Sequence, residues 1–195
     1  THSGSWREGL MEVVKNPHSW PGFWVSFGQG GMFFAFVGLW AFPFLRDVYH
    51  MDAVIAANHI SLLLIGFSIG ALLIGMVSDR LGRRRPVMLA AMVLCLLCWL
   101  PLMLGASMPL WLSYALFTLL GFSAPGYTIT LATTKEVNRP ALSGMATALA
   151  NTGTFTGAMV CQPLVGWVMD KHWDGRLVDG VRVYGLETYQ LGLGL

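Results

Sequence analysis

Long apolar stretches separated by short charged segments make up most of this chain. Each stretch covers about 20 residues or more, the length of α-helix that crosses the roughly 30 Å hydrocarbon core of a bilayer. The stretches cover residues 20–45, 53–77, 87–105, 110–132 and 142–169. They lack the alternation of barrel strands, and a helix satisfies its own backbone groups in lipid. The pattern therefore predicts an all-α fold, a polytopic bundle of transmembrane helices.

The composition excludes a protein whose surface is mainly exposed to water. Hydrophobic residues make up 55% of the chain and charged residues 11%, against about 25% charged residues in soluble domains. A net charge of +2 provides no basic face, so we predict no nucleic-acid partner. The sequence has no Gly-x-x-x-x-Gly-Lys phosphate loop, and Cys95 and Cys98 lie in an apolar stretch without a neighbouring histidine. We predict no enzyme activity, no cofactor and no metal site.

Positive charge is concentrated in the connection between the second and third stretches. Four arginines lie within residues 79–86, which makes this connection cytoplasmic by the positive-inside rule. Alternation of the spans then places eight basic residues inside and four outside. The lipid bilayer is thus the surrounding partner. We predict a multi-pass protein of the cell membrane, meaning an inner or plasma membrane.

The same connection carries a motif. A glycine is followed four residues later by an aspartate and then by Arg-x-Gly-Arg-Arg, and the residues are Gly75, Asp79, Arg80, Gly82, Arg83 and Arg84. This pattern resembles the signature loop of the major facilitator superfamily, which follows the second helix of each six-helix half. The polar segment before the first stretch is similar to the linker between the halves. The resemblance covers nearly the whole chain and implies helices seven to eleven of twelve, with the start of helix twelve.

The resemblance also implies a domain organisation and a function. Residues 1–19 would be a cytoplasmic linker with an amphipathic segment, and residues 20–195 a C-terminal bundle of five complete spans and a truncated sixth. The partners would be a small-molecule solute and the missing N-terminal six-helix half of the same chain. The expected function is secondary active transport of the solute by alternating access, as ion-gradient-coupled symport. A drug or metabolite exporter and a non-transporting membrane sensor or scaffold are the alternatives.

Asp79 requires a cationic partner. It lies at the cytoplasmic end of a predicted helix, where the helix dipole disfavours negative charge. Arg83 and Arg84 are the nearest cations, and Glu136, at the end of the fourth stretch, faces the same connection. The resemblance implies that Asp79 and Arg83 belong to a contact that closes the cytoplasmic side in the outward-open state. Topology alone would explain Arg84 and Arg85 equally well.

Polar side chains within the apolar stretches are candidates for a solute cavity, because lipid disfavours them and they tend to face the bundle interior. They are Gln29, Asn58, His59, Asn151 and Gln162. Hydrogen bonds between helices would explain the amides equally well. The resemblance implies a cavity lined by the first, second, fourth and fifth spans, so Gln29 and Asn151, near mid-depth, are the preferred cavity residues. His59, nearer the outer end, could titrate near neutral pH and carry a coupling proton.

Glycines four residues apart predict close helix packing. Small residues let helix backbones approach each other in lipid, and the two pairs are Gly66 with Gly70 and Gly153 with Gly157. Further glycines and prolines predict interruptions of the first, fourth and fifth spans, at residues 28–31, 121–126 and 163. Interruptions of this kind can line a solute cavity or simply kink a helix.

Overall fold

The computed structural model describes residues 5–178 and 180–194 of the 195-residue chain. In chain order its helices are α1 (Trp6–Lys15), α2 (Pro17–Asp47), α3 (Ala53–Leu81), α4 (Arg84–Met103), α5 (Leu110–Glu136), α6 (Ser143–Lys171) and α7 (Leu186–Leu193). A short antiparallel hairpin precedes α7, with strand β1 (Leu177–Val178) paired to strand β2 (Val181–Arg182). The predicted all-α bundle is confirmed.

Four of the described helices are long and apolar enough to cross a bilayer, namely α2, α3, α4 and α5. They correspond to the first four predicted stretches. Several extend past the apolar residues by about one turn, because the helical hydrogen-bond ladder continues beyond the last apolar side chain. Helix α6 has 29 residues, as many as α3, but its sequence is more polar. That α6 also crosses the membrane stays a prediction.

Helices α2 and α5 depart from regular α-helical geometry. Helix α2 begins with a 3₁₀ turn, Pro17–Ser19, and contains two π-helical turns, Ser26–Gly30 and Phe36–Trp40. Helix α5 contains a 3₁₀ turn at Ala124–Thr128. Two of the three predicted interruptions therefore coincide with irregular turns, which are frequent at functional positions of helices. Helix α6 continues without a break through Pro163, the third position.

Helices α3 and α5 lie in backbone contact. Gly66 and Gly70 of α3 face α5, and a Cβ atom at either position would overlap a carbonyl oxygen, that of Thr118 or Phe122. Gly121 of α5 makes the reciprocal contact with a carbonyl oxygen of α3. The missing side chains on both helices allow this approach. The two helices therefore form one closely packed pair.

Helices α2 and α6 are packed in the same way. Gly153 and Gly157 of α6 lie against the carbonyl oxygens of Phe23 and Phe27 in α2. Gly31 of α2 completes the contact, because a Cβ atom there would lie 2.6 Å from the Cα atom of Gly157. Lipid tails give helices no hydrophobic reason to associate, so the dispersion contacts of such close approach stabilise the pair.

Hydroxyl and amide groups lie between α2 and α5 in the half of the bundle that the positive-inside rule predicts to face the cytoplasm, called the cytoplasmic half below. Ser26 Oγ and Thr130 Oγ1 are 3.1 Å apart, and both side chains are buried. Closer to the cytoplasm, Asn138 Nδ2 donates to the buried Ser19 Oγ at 2.8 Å. Polar contacts between membrane helices contribute about 0.6 to 2 kcal/mol each. The α2–α5 contact is thus polar, in contrast to the two glycine contacts.

The larger of two apolar clusters among the described residues lies in the opposite, outer half of the bundle, and a smaller one lies between α3, α4 and α5 nearer the other end. Phe36 and Phe44 of α2, Phe117 of α5 and Tyr189 of α7 are buried in the larger cluster, the apolar core. The rings of Phe44 and Tyr189 meet edge to face, with their centroids 5.2 Å apart. This contact fixes the start of α7 against the outer end of α2.

Gly70→Ala is expected to destabilise the full-length protein by about 1 to 3 kcal/mol, because the new methyl group meets the Phe122 carbonyl and forces α3 away from α5. Gly28→Ala is the matched control, since nothing lies within 4 Å of its Cβ position. Alanine there is expected to be neutral or stabilising by up to about 1 kcal/mol. The melting temperatures of the two variants are measured in detergent, with size-exclusion chromatography reporting the fraction that remains folded. Equal melting temperatures would contradict the packing described above.

Candidate functional site at the cytoplasmic end

A group of charges joins the connection between α3 and α4 to the end of α5. Arg84, the first residue of α4, donates from Nε and Nη2 to Glu136 Oε1 at 3.2 and 3.0 Å. Its Nη1 donates to Asp79 and, at 3.2 Å, to Ser78 Oγ. Asp79, Arg84 and Glu136 are called the Arg84 cluster below. One guanidinium thus connects the ends of three helices through charge-assisted hydrogen bonds.

Gly82 allows the chain to place Arg84 in this position. It has a φ of +61°, in the left-handed region that favours glycine, and its N–H donates to the Asp79 carbonyl at 3.3 Å. The chain therefore leaves α3 and begins α4 within two residues, which brings Arg84 beside the last turn of α3. Gly75 has no such role among the described residues, because nothing lies within 4 Å of its Cβ position.

Of the two arginines expected near Asp79, Arg84 forms the ion pair, whereas Arg83, which matches the family motif, does not. The backbone of Arg83 is extended, with φ −128° and ψ 109°, and Arg84 is the residue that begins the helix. Arg80, Arg83 and Arg85 are exposed and form no ion pair within the described residues. The contact between the ends of α3 and α4 therefore uses Arg84, an arginine whose presence the positive-inside rule would also have explained.

The Arg84 cluster is partly open to water. The side chain of Glu136 is 55% exposed and that of Arg84 27% exposed. A cavity of about 470 Å³ lies beside the cluster and is also lined by Ala132, Lys135 and Ser143. Water competes for exposed ion pairs, which typically contribute about 1 kcal/mol or less. The cluster is therefore a contact that can form and break at a small difference in free energy.

Gln29 lines a second cavity, of about 310 Å³, between α2, α4 and α5. Its Nε2 lies 3.5 Å from the carbonyl oxygen of Ala124, and its Oε1 is buried without a hydrogen-bond partner among the described residues. The other lining side chains are apolar, among them Met92 and Trp99 of α4. A buried acceptor without a partner is unfavourable by about 1 to 3 kcal/mol. Gln29 therefore marks a position where a further donor is expected.

Three other polar candidates do not line the cavity of Gln29. Asn58 and Asn151 are exposed, on α3 and α6 respectively. Gln162 is partly buried, and its backbone carbonyl accepts a hydrogen bond from Trp40 Nε1 at 3.3 Å. These three amide side chains thus lie on two helices, α3 and α6, and do not form one site with Gln29.

His59 joins α3 to α5 near the outer end of both helices. Its Nδ1 lies 2.8 Å from the Ile55 carbonyl oxygen, and its Nε2 lies 2.8 Å from Ser113 Oγ. The side chain is buried, and the Tyr114 ring lies 4.2 Å away between centroids. The Ile55 carbonyl only accepts, so Nδ1 carries a proton. Ser113 Oγ also lies 2.9 Å from the Leu110 carbonyl oxygen, so it can donate to Nε2 or accept from it. No acidic side chain among the described residues bonds to the ring, and its observed contacts join α3 to α5.

The sequence analysis missed a second polar cluster, at the outer end. Asp47 accepts hydrogen bonds from Tyr189 OH at 2.9 Å and from the Tyr184 N–H at 3.3 Å. Tyr184 OH and Arg182 Nη1 both donate to Asp170 Oδ1 at 2.6 Å. Burial raises the pKa of the Tyr184 phenol above its ordinary value, so the phenol remains a donor. The partners of Asp47 lie 137 and 142 residues away along the chain, which leaves no local signal in the sequence.

A double-mutant cycle tests the Arg84 cluster without any solute. Arg84→Gln and Glu136→Gln are each expected to destabilise the full-length protein, with a coupling free energy of about 0.5 to 1 kcal/mol in the double variant. Arg83→Gln is the control, and its coupling to Glu136→Gln is expected to be near zero. Denaturant unfolding in mixed micelles measures all the variants. Equal coupling for Arg83 and Arg84 would remove the special role of Arg84.

The comparison with known families agrees with this geometry. No match to an individual curated protein was found. The family model described as Major Facilitator Superfamily matches residues 23–178, which include all of α3, α4, α5 and α6 and most of α2. The match covers most of the 195 residues and includes the signature loop that holds the Arg84 cluster. This chain belongs to the Major Facilitator Superfamily.

Proposed function

We propose that this chain forms the C-terminal half of a secondary transporter that moves a small solute across the cell membrane by alternating access, as an ion-gradient-coupled symporter. Membership of the family supports transport of small solutes across a membrane in general. The ion coupling, the direction and the alternating-access cycle are our proposal. The missing partner would be an N-terminal six-helix half of the same chain.

The Arg84 cluster is the observation that carries this proposal. It joins three helix ends on the side that the positive-inside rule makes cytoplasmic. An alternating-access transporter requires contacts that hold one side closed and yet open when the populations shift. A partly exposed ion pair meets this requirement, because its net contribution is small. We propose that the cluster closes the cytoplasmic side when the transporter faces outward.

The proposed domain boundaries are a linker at residues 1–19 and a helical bundle at residues 20–195, with α7 as the beginning of a sixth span. Gln190 Nε2 donates to the Met103 carbonyl at 2.6 Å, and Leu193 is buried in the apolar core. The cavity of Gln29 is lined by the same helix α4 from Met92 to Trp99, which lies about one turn before Met103. A helix that continues α7 would fill this cavity and could supply the donor that Gln29 Oε1 lacks. A bound solute is the other candidate for that donor.

The site of ion coupling is proposed to lie mainly in the other half. Between their first and last turns, α2 to α6 contain no aspartate or glutamate. His59 bonds to the Ile55 carbonyl and to Ser113, and to no acidic side chain among the described residues. A buried site that binds a cation or a proton usually contains an ionisable group, as in proton relays of transporters. This half would then contribute to the solute cavity and to the cytoplasmic closure.

Uptake into proteoliposomes tests the proposal. The full-length protein is reconstituted and offered a panel of small solutes under an imposed proton or sodium gradient. Uptake of at least one solute, driven by an inward gradient, is expected. Arg84→Gln is expected to slow uptake of every transported solute by roughly fivefold, because about 1 kcal/mol of closure is lost. Arg85→Gln is the matched control and is expected to transport like the wild type.

Cavity residues are tested in the same vesicles. Asn151→Ala is expected to alter the preference among solutes without a uniform loss of rate, if the exposed face of α6 lines the solute cavity. If an inward ion gradient drives solute out of the vesicles, the protein is an exporter and the symport proposal is wrong. Absence of flux for every solute and gradient, in folded and correctly oriented protein, would favour the sensor or scaffold.

A further inference from the structure

Helix α1 packs on the bundle through part of its apolar face. Val13 is fully buried, and a Cβ atom at Gly9 would lie 2.9 Å from Leu142 Cδ2 and 3.1 Å from Met145 Sδ. Trp6 on the same helix remains 65% exposed. The amphipathic segment that the sequence predicted is therefore partly occupied by protein contacts. It rests on the connection between α5 and α6 and on the first turn of α6.

The connection between α5 and α6 is bonded to this helix at consecutive residues. Asn16, which follows α1, donates from Nδ2 to the Val137 carbonyl at 2.9 Å and to Asn138 Oδ1 at 3.1 Å. Arg139 Nη1 donates to Glu12 Oε2 of α1 at 3.3 Å. Glu136, the residue before them, belongs to the Arg84 cluster. Residues 136–139 thus connect α1 to the cluster without an intervening gap.

These bonds also satisfy the C-terminus of α5. The last carbonyl groups of a helix lack partners within the helix and need external donors. Asn138 Nδ2 donates to the Thr134 carbonyl at 2.7 Å, while also donating to Ser19 Oγ at the start of α2. Asn16 supplies the donor for Val137, which directly follows α5. The last turn of α5, which carries Glu136, is therefore ordered in part by the segment that joins α1 to α2.

We propose that α1 is a regulatory element that holds the Arg84 cluster together by ordering the last turn of α5. Displacement of α1 removes the Asn16 donor at the Val137 carbonyl and the ion pair between Glu12 and Arg139, so the last turn of α5 frays more often. Glu136 then separates from Arg84 more often, and the cytoplasmic end opens more readily. A partner or a modification that binds the exposed side of α1 would in this way act on the closure without touching the solute cavity.

Hydrogen–deuterium exchange of the full-length protein in nanodiscs tests this coupling and requires no solute. Glu12→Gln and Asn16→Ala are expected to raise amide exchange about fivefold in residues 133–139, as the loss of one or two hydrogen bonds implies. Exchange in residues 79–85 is expected to rise as well. Glu8→Gln is the matched control, because Glu8 lies on the same helix and forms no ion pair within the described residues.

The outcome at Glu12 decides, because this exposed substitution leaves the buried contacts of α1 in place even if Asn16→Ala fails to fold. Faster exchange in both segments for Glu12→Gln, and not for Glu8→Gln, supports the proposal. Faster exchange confined to α1, or equal effects of the two glutamate variants, overturns it. Neither result depends on whether transport is found, so the proposed function and the role of α1 are tested separately.

Discussion

Close approach of helix backbones at glycine is the constraint on which the rest of this bundle depends. Lipid tails are as apolar as the helix surfaces, so helices gain no hydrophobic free energy by associating. Their association must be stabilised by dispersion contacts at short distance and by hydrogen bonds. Gly66, Gly70 and Gly121 meet this requirement between α3 and α5, and Gly31 and Gly157 meet it between α2 and α6. The result is two closely packed helix pairs. Helix α4 packs against α3 and α5, and α7 packs mainly against α6.

The two pairs meet each other differently in the two halves of the membrane. On the outer side they share an apolar core that includes Phe36 and Phe117. On the cytoplasmic side the contact consists of hydrogen bonds such as that between Ser26 and Thr130, and it ends at Asn138. Separating the outer core would lose packing, whereas separating the other contact would leave buried hydroxyl groups such as those of Ser26 and Thr130 without partners. The two ends of the bundle are therefore held together by different interactions.

The sequence was sufficient for the helices and for the presence of a charged contact, because both follow from local patterns. Apolar length predicted four spans that the fold contains, and glycine spacing identified faces where helices meet. The choice of Arg84 over Arg83 could not be predicted, since it depends on the backbone angles of Gly82 and on where α4 begins. The cluster at Asp47 and the bond from Asn16 to the end of α5 were missed for a related reason. Their partners lie more than 100 residues away, and no local pattern encodes such a distance.

The rate at which a cysteine at position 132 reacts with a membrane-impermeant thiol reagent from the cytoplasmic side tests the central claim most directly. Ala132 lines the cavity beside the Arg84 cluster. The assay uses full-length protein in vesicles, with Cys95, Cys98 and Cys161 replaced by alanine. The account predicts a reaction rate that changes with the imposed ion gradient while Arg84 is present, and a fast, gradient-independent rate in Arg84→Gln. Equal rates in both backgrounds, with or without the gradient, would contradict a cytoplasmic closure controlled by Arg84.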